Sequence, residues 1–163
     1  MVDEEPTADD HEIVTELLGR QPQGSYGVAL RRSDGTPVVL ANRPLLDSGR
    51  PMPTRYWLVD RRLNRAIGRL ESGGGVNRAE AEIDPDALRS AHDAYAVERD
   101  RLIPDDHAGP RPFGGVGGTR VGVKCLHAHY ANHLIGADDP VGRWVEDRLA
   151  ESGDRFDPDQ PAS

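Results

Sequence analysis

YGVALRRSDGTPVVL, residues 26–40, decides the fold. Val28-Ala29-Leu30 and Val38-Val39-Leu40 flank Ser33-Asp34-Gly35-Thr36, and Asp-Gly between two apolar runs is the sequence of a tight β-hairpin turn. Toward the C-terminus, Arg43–Pro53 carries three prolines and reads as a loop. Thr54–Val59 follows as a third strand, rich in aromatic and β-branched residues. Toward the N-terminus, Ile13, Val14, Leu17 and Leu18 recur at i, i+1, i+4 and i+5. That spacing predicts a short amphipathic helix over 11–18, capped by Asp9 or Asp10 and stopped near Gly19.

Beyond the third strand the period changes to that of helices. Leu63, Ile67 and Leu70 share one face of a helix from Asp60 to Ser72, with Arg61, Arg62, Arg65 and Arg69 around it. Gly73-Gly74-Gly75 ends it. A longer helix is predicted from Pro85 to Leu102, with Pro85 in its first turn after Asp84. Residues 104–118 are a Pro/Gly-rich loop. Two more helices follow, from about Lys124 to Ile135 and from Pro140, after Asp138 or Asp139 as cap, to about Ala150. Helix, strands, then helices argue for an α+β class, a small antiparallel sheet packed by helices on one face. The expected organisation is one domain over 11–150, with disordered acidic ends at 1–10 and 151–163.

Composition bounds the function. The chain has 163 residues, 36% of them hydrophobic and 29% charged, enough for one core without disulfides. No apolar run approaches the ~20 residues of a membrane span, so no membrane insertion is expected. The acidic start, Asp3-Glu4-Glu5, has no basic-then-apolar leader pattern, and a cytoplasmic protein is expected. Cys125 is the single cysteine, which excludes an intrachain disulfide and any multi-cysteine zinc motif. Charge is uneven. Residues 1–19 hold seven acids and no Lys or Arg, whereas 20–137 hold 17 basic and 13 acidic residues. Acidic ends disfavour nucleic acid, and the positive middle suits a small anionic ligand, although an arginine-rich codon bias produces the same balance. Against that background Lys124, the only lysine, stands out.

GGVGGTRVGVKCLHAHYANH, residues 114–133, carries the chemistry. Gly117 and Gly118 belong to a glycine-rich loop that leaves backbone N–H groups unshielded. The helix predicted from Lys124 offers the positive end of its dipole, and Arg120 and Lys124 add two cations. This is the recipe for a phosphate or carboxylate site. It is not a Walker A motif, because the lysine comes one place late and no Ser or Thr follows it. A flexible turn with no ligand uses the same glycines. Cys125, His129 and His133 repeat at i+4 along one stripe of the helix. His127 lies ~200° around from Cys125 and joins it only if the first turn is distorted. Cys125, His127 and His129, with Asp60 mounted after the aromatic strand, suit Zn²⁺. They equally suit a catalytic set of Cys125, His127 and Asp60, since a cysteine at a helix N-terminus beside a lysine is in the electropositive setting in which thiols react. A buried structural cysteine with surface histidines is the plain alternative, as is a helix N-cap for Asp60. Trp57 either fills the core or stacks on a ligand. Arg69 and Glu71, ahead of three glycines, suit a capped surface helix or a pocket rim.

Pro53-Thr54-Arg55-Tyr56-Trp57-Leu58, Arg69-Leu70-Glu71, Val123-Lys124-Cys125-Leu126-His127 and Asp139-Pro140-Val141-Gly142 occur in an order that resembles an actinobacterial family known as domain of unknown function 501. The resemblance covers roughly residues 19–146, and Lys-Cys-Leu-His is its most specific element. It implies a cytoplasmic bacterial protein whose gene neighbours include a septum-formation initiator and an exopolyphosphatase, but no activity. It also implies Cys-Pro in the first hairpin and Cys or His before Pro after the aromatic strand. Arg32-Ser33 and Asp60-Arg61 stand there instead.

Three functions follow as expectations. One is binding, with or without turnover, of a small phosphorylated anion at Gly117, Gly118, Arg120 and Lys124 beside Cys125 and His127. The second is a non-enzymatic accessory with a protein partner in the division machinery or envelope. The third is a zinc-binding domain using Asp60, Cys125, His127 and His129.

Overall fold

Asp34 and Gly35 turn the chain between β1 (Tyr26–Arg31) and β2 (Pro37–Asn42). Asp34 Oδ1 accepts from the Thr36 amide at 2.9 Å, and Gly35 has a φ of +90° that favours glycine. β3 (Tyr56–Leu58) pairs with β2 on its other side, giving an antiparallel sheet of order β1-β2-β3. The register sets Val28 beside Leu40 and Leu40 beside Trp57. A computed structural model describes residues 3–162. Six helices pack against the sheet: α1 (Ala8–Leu18), α2 (Arg61–Ser72), α3 (Gly75–Glu82), α4 (Pro85–Asp100), α5 (Leu126–Leu134) and α6 (Pro140–Ser152). The α+β architecture expected from the hairpin is the one observed.

Every position of β2 is buried, because both faces of the sheet are covered. On one face Val39, Ala41, Tyr56 and Leu58 meet Leu63 and Ile67 of α2, Tyr95 of α4, Leu126 and Tyr130 of α5 and Val145 of α6. On the other, Val28 and Leu40 meet Val14 of α1, with Leu17, Leu18 and Trp57 packed against them. The sequence pattern predicts helices on one face only; α1 closes the second.

Caps explain the helix boundaries. Asp60, Asp84 and Asp139 accept from the third amide of α2, α4 and α6, and Pro85 and Pro140 sit in the first turns. α1 is capped by Thr7, with Asp10 reaching back to the Thr7 amide, rather than by Asp9 or Asp10. The sequence pattern does not predict α3. Gly74, at φ +83°, redirects the chain after α2, and a new helix begins at once. Gly75 must be glycine: an added Cβ would stand 2.6 Å from the Leu70 carbonyl oxygen.

Both acidic ends make contacts. Residues 1, 2 and 163 of those ends lie outside the described residues. The Glu4 amide donates to the Val28 carbonyl, and Asp3 pairs with Arg55. Arg31 forks onto both carboxylate oxygens of Asp10. Near the C-terminus, the Ser33 amide donates to the Pro158 carbonyl, and Arg32 Nη1 reaches the carbonyls of Asp157 and Gln160 at 2.7 and 2.6 Å. Among the described residues no helix is long and apolar enough to cross a membrane.

Candidate functional site

The edge strand β3 leaves a cleft between the sheet and the start of α5. It is about 470 Å³ in volume. Trp57 and Leu58 of β3, Leu17 and Leu18 of α1, Asn64 of α2, and Gly117, Lys124, Cys125 and His127 line it. α5 starts later than expected, and that decides the geometry. Cys125 is extended, at φ −152° and ψ 141°, and serves as the N-cap: its Sγ accepts from the Ala128 amide at 3.3 Å. His127 is therefore in the first turn and meets Cys125.

His127 has acceptors on both sides. Its Nδ1 lies 2.5 Å from Glu71 Oε1, and its Nε2 lies 3.3 Å from the Asn64 carbonyl. Burial disfavours the imidazolium. The hydrogen bond with Cys125, the Glu71 carboxylate and the Asn64 carbonyl outweigh it, and the pKa is raised above the ordinary value. Glu71 Oε2 also lies 3.4 Å from the Leu126 amide, so this carboxylate caps α5 while it holds the histidine. The Glu71 carboxylate and the Asn64 carbonyl thus face the two ring nitrogens of His127, next to the Cys125 thiol on the cleft wall. Lys124 is exposed beside it.

The family model described as Protein of unknown function (DUF501) matches residues 28–147. The chain belongs to the DUF501 family. No curated protein and no solved structure matches it. The matched span of this DUF501 chain contains Thr54, Trp57, Asn64, Lys124, Cys125 and His127 of the cleft lining, and Glu71 behind His127.

Other expected site residues are placed elsewhere. Asp60 is buried against Arg32, 2.6 Å from Nη2, and its Oδ1 takes the Leu63 amide. The two positions at which the resemblance implies soft ligands are thus neighbours, filled here by an ion pair. His129 is buried too, its Nδ1 2.9 Å from both Asp139 oxygens. The stripe of Cys125, His129 and His133 does not form, because Cys125 precedes the helix. Among the described residues no three His, Cys, Asp or Glu side chains converge as metal ligands, so the Asp60–Cys125–His127–His129 zinc set is not assembled.

Several amides of the glycine loop are taken by the chain itself. The Val116 amide donates to His92 Nδ1, that of Gly118 to the Gly115 carbonyl, that of Gly115 to the Thr119 carbonyl and that of Val123 to Glu80 Oε2. Gly118 packs near Pro53, and Arg120 stacks on Phe113 at 4.3 Å. Arg120 lines hollows on the α4 side, apart from the cleft of Lys124. Arg120 and Lys124 therefore make no joint cradle, and Glu80 and Glu71 take the Val123 and Leu126 amides. Sequence reading misses Glu71 as the partner of His127. Its only trace is a carboxylate just before three glycines.

Proposed function

We propose that this DUF501 protein binds a small phosphorylated anion in the cleft at Lys124 and presents Cys125 to it as a reactive thiol. The observation that carries the reading is the cleft lining, in which Lys124, Cys125 and His127 stand together while Glu71 and the Asn64 carbonyl hold the His127 ring. A histidine whose two ring nitrogens both face acceptors is held toward its charged form, and a cation next to a thiol is a setting in which thiols react. Lys124 supplies an exposed point charge at the rim, and Gly117, whose φ of +70° favours glycine, lines the same cleft. Trp57 offers a flat apolar wall for the organic part of a ligand.

Iodoacetamide alkylation of Cys125 near neutral pH tests the thiol. His127→Gln and Glu71→Gln are expected to slow it by about fivefold or more, because thiol reactivity follows its electrostatic setting. Equal rates in all three proteins overturn the reactive thiol. Inorganic phosphate tests the anion. At ~100 times its dissociation constant it should stabilise the fold by about 2.7 kcal/mol, read as a rise in Tm. Lys124→Ala should lose most of the rise, and Arg143→Ala on α6 should keep it. No rise, or equal rises in both variants, overturns the anion site.

A further inference from the structure

Trp57 has a second hollow beside it. This one is small, about 60 Å³, and is lined by Arg20, Arg43, Gln23, Ser25 and Asn42, with Trp57, Leu46, Met52 and Pro22 as its apolar walls. By the ~10–15 Å³ that one water needs, it admits about four or five heavy atoms, the size of a single tetrahedral oxyanion. Arg20 and Arg43 both line it, and no Asp or Glu does. Arg20 already lies over the indole, 5.7 Å from the ring centroid. Two like charges in one hollow with no acid to balance them are best satisfied by an oxyanion, which accepts planar forks from both.

The same indole lines the cleft of Lys124, Cys125 and His127. Resting on the reading of that cleft as an anion site, we infer that the ligand carries two anionic groups. One sits at Lys124 and the other between Arg20 and Arg43, and a short organic frame crosses Trp57. The class is a small bisphosphate or a phosphorylated carboxylic acid. Joining two weak anion sites through one ligand raises affinity by effective concentration, since the second contact becomes intramolecular. The hollow is built by residues that connect elements: Arg20, Gln23 and Ser25 between α1 and β1, and Arg43 just after β2. The backbone holds them in place. The Arg43 amide donates to the Ser25 carbonyl at 3.1 Å, and the Asp47 amide donates to the Gln23 carbonyl at 3.1 Å. An added Cβ at Gly24 would stand 3.2 Å from Leu46 Cα, so the two loops are packed closely.

Titration calorimetry with fructose 6-phosphate and fructose 1,6-bisphosphate, used as one-anion and two-anion probes, tests this in the full chain. The bisphosphate should bind about tenfold tighter or better. Arg20→Gln/Arg43→Gln should remove that advantage while leaving the affinity for fructose 6-phosphate within about twofold of wild type. It should also leave Cys125 alkylation unchanged, which shows the fold and the cleft intact. Equal affinities for the two sugars, or an advantage that survives the arginine substitutions, overturn the two-anion ligand. The cleft reading stands in that case if Lys124→Ala still abolishes binding of the monophosphate. No binding of either probe or of inorganic phosphate overturns both.

Discussion

His127 and His92 have opposite electrostatic settings, and their pH dependence separates them. His127 has its pKa raised by Cys125, Glu71 and the Asn64 carbonyl against the cost of burial. Its stabilising effect is complete below the ordinary histidine value and fades as pH rises through the folded one. It is modest, because the side chain is 30% exposed. His92 has its pKa lowered, by burial first and then by the neighbouring His129 ring, against the Gly122 carbonyl, Asp139 and Asp93, which favour the charged form. It is held neutral, with Nδ1 accepting from Val116 and Nε2 donating to the Gly122 carbonyl at 2.9 Å. That stabilisation is present above the ordinary histidine value and is lost as pH falls. Urea denaturation between about pH 5.5 and pH 8 is expected to show the gap between wild type and His127→Gln narrowing toward high pH. The gap to His92→Gln should narrow toward low pH. Parallel gaps would contradict both settings. Cys125 and His127 are legible from sequence as neighbours of a helix start. Glu71 is not, because it lies 54 positions before Cys125 and only the packing of α2 on α5 brings it in.

The glycine loop shows how the sequence misleads at the scale of an element. Its glycines read as open amides awaiting an anion, yet the loop is a packed piece. An added Cβ at Gly115 would stand 2.5 Å from His92 Cβ and 2.6 Å from His92 Cα, both fixed by α4. Gly115→Ala should therefore cost about 1–3 kcal/mol, the usual range for overpacking, and shift the urea midpoint accordingly. Gly136→Ala has open space around the new methyl group but a φ of +98°. It tests strain alone and should cost about 1–2 kcal/mol. A cost near zero at Gly115 would mean that the loop yields and that the contact with α4 is slack. The turn of the hairpin, by contrast, is legible, since Asp-Gly fixes it locally and needs no distant partner, whereas the register irregularities around Ala29 and Leu30 are not. α3 is not: among its residues only Val76 and Ala79 reach the core side, too few for a visible period.

The whole molecule is held partly by a charge pair that no count of charges reveals. Arg32, beyond β1, and Asp60, at the N-cap of α2, meet with both side chains almost fully buried. The C-terminal stretch then closes over them. The Asp157 and Gln160 carbonyls accept from the guanidinium, and Phe156 lies 5.4 Å from it. Sheet, α2 and C-terminus are thus joined at one point, from residues that composition assigns to a turn, a cap and a polar tail. A buried pair of this kind gains little over an apolar replacement, but breaking it leaves a charge without water or partner. Arg32→Ala is expected to cost about 3–5 kcal/mol in urea denaturation. Arg32→Met/Asp60→Leu should cost far less than the single change, although a leucine side chain cannot cap α2, which adds about 1 kcal/mol. If the double variant is as unstable as Arg32→Ala, the loss comes from the tail carbonyls rather than from the stranded Asp60. If Arg32→Ala costs less than about 1 kcal/mol, the pair does not join these three parts of the fold.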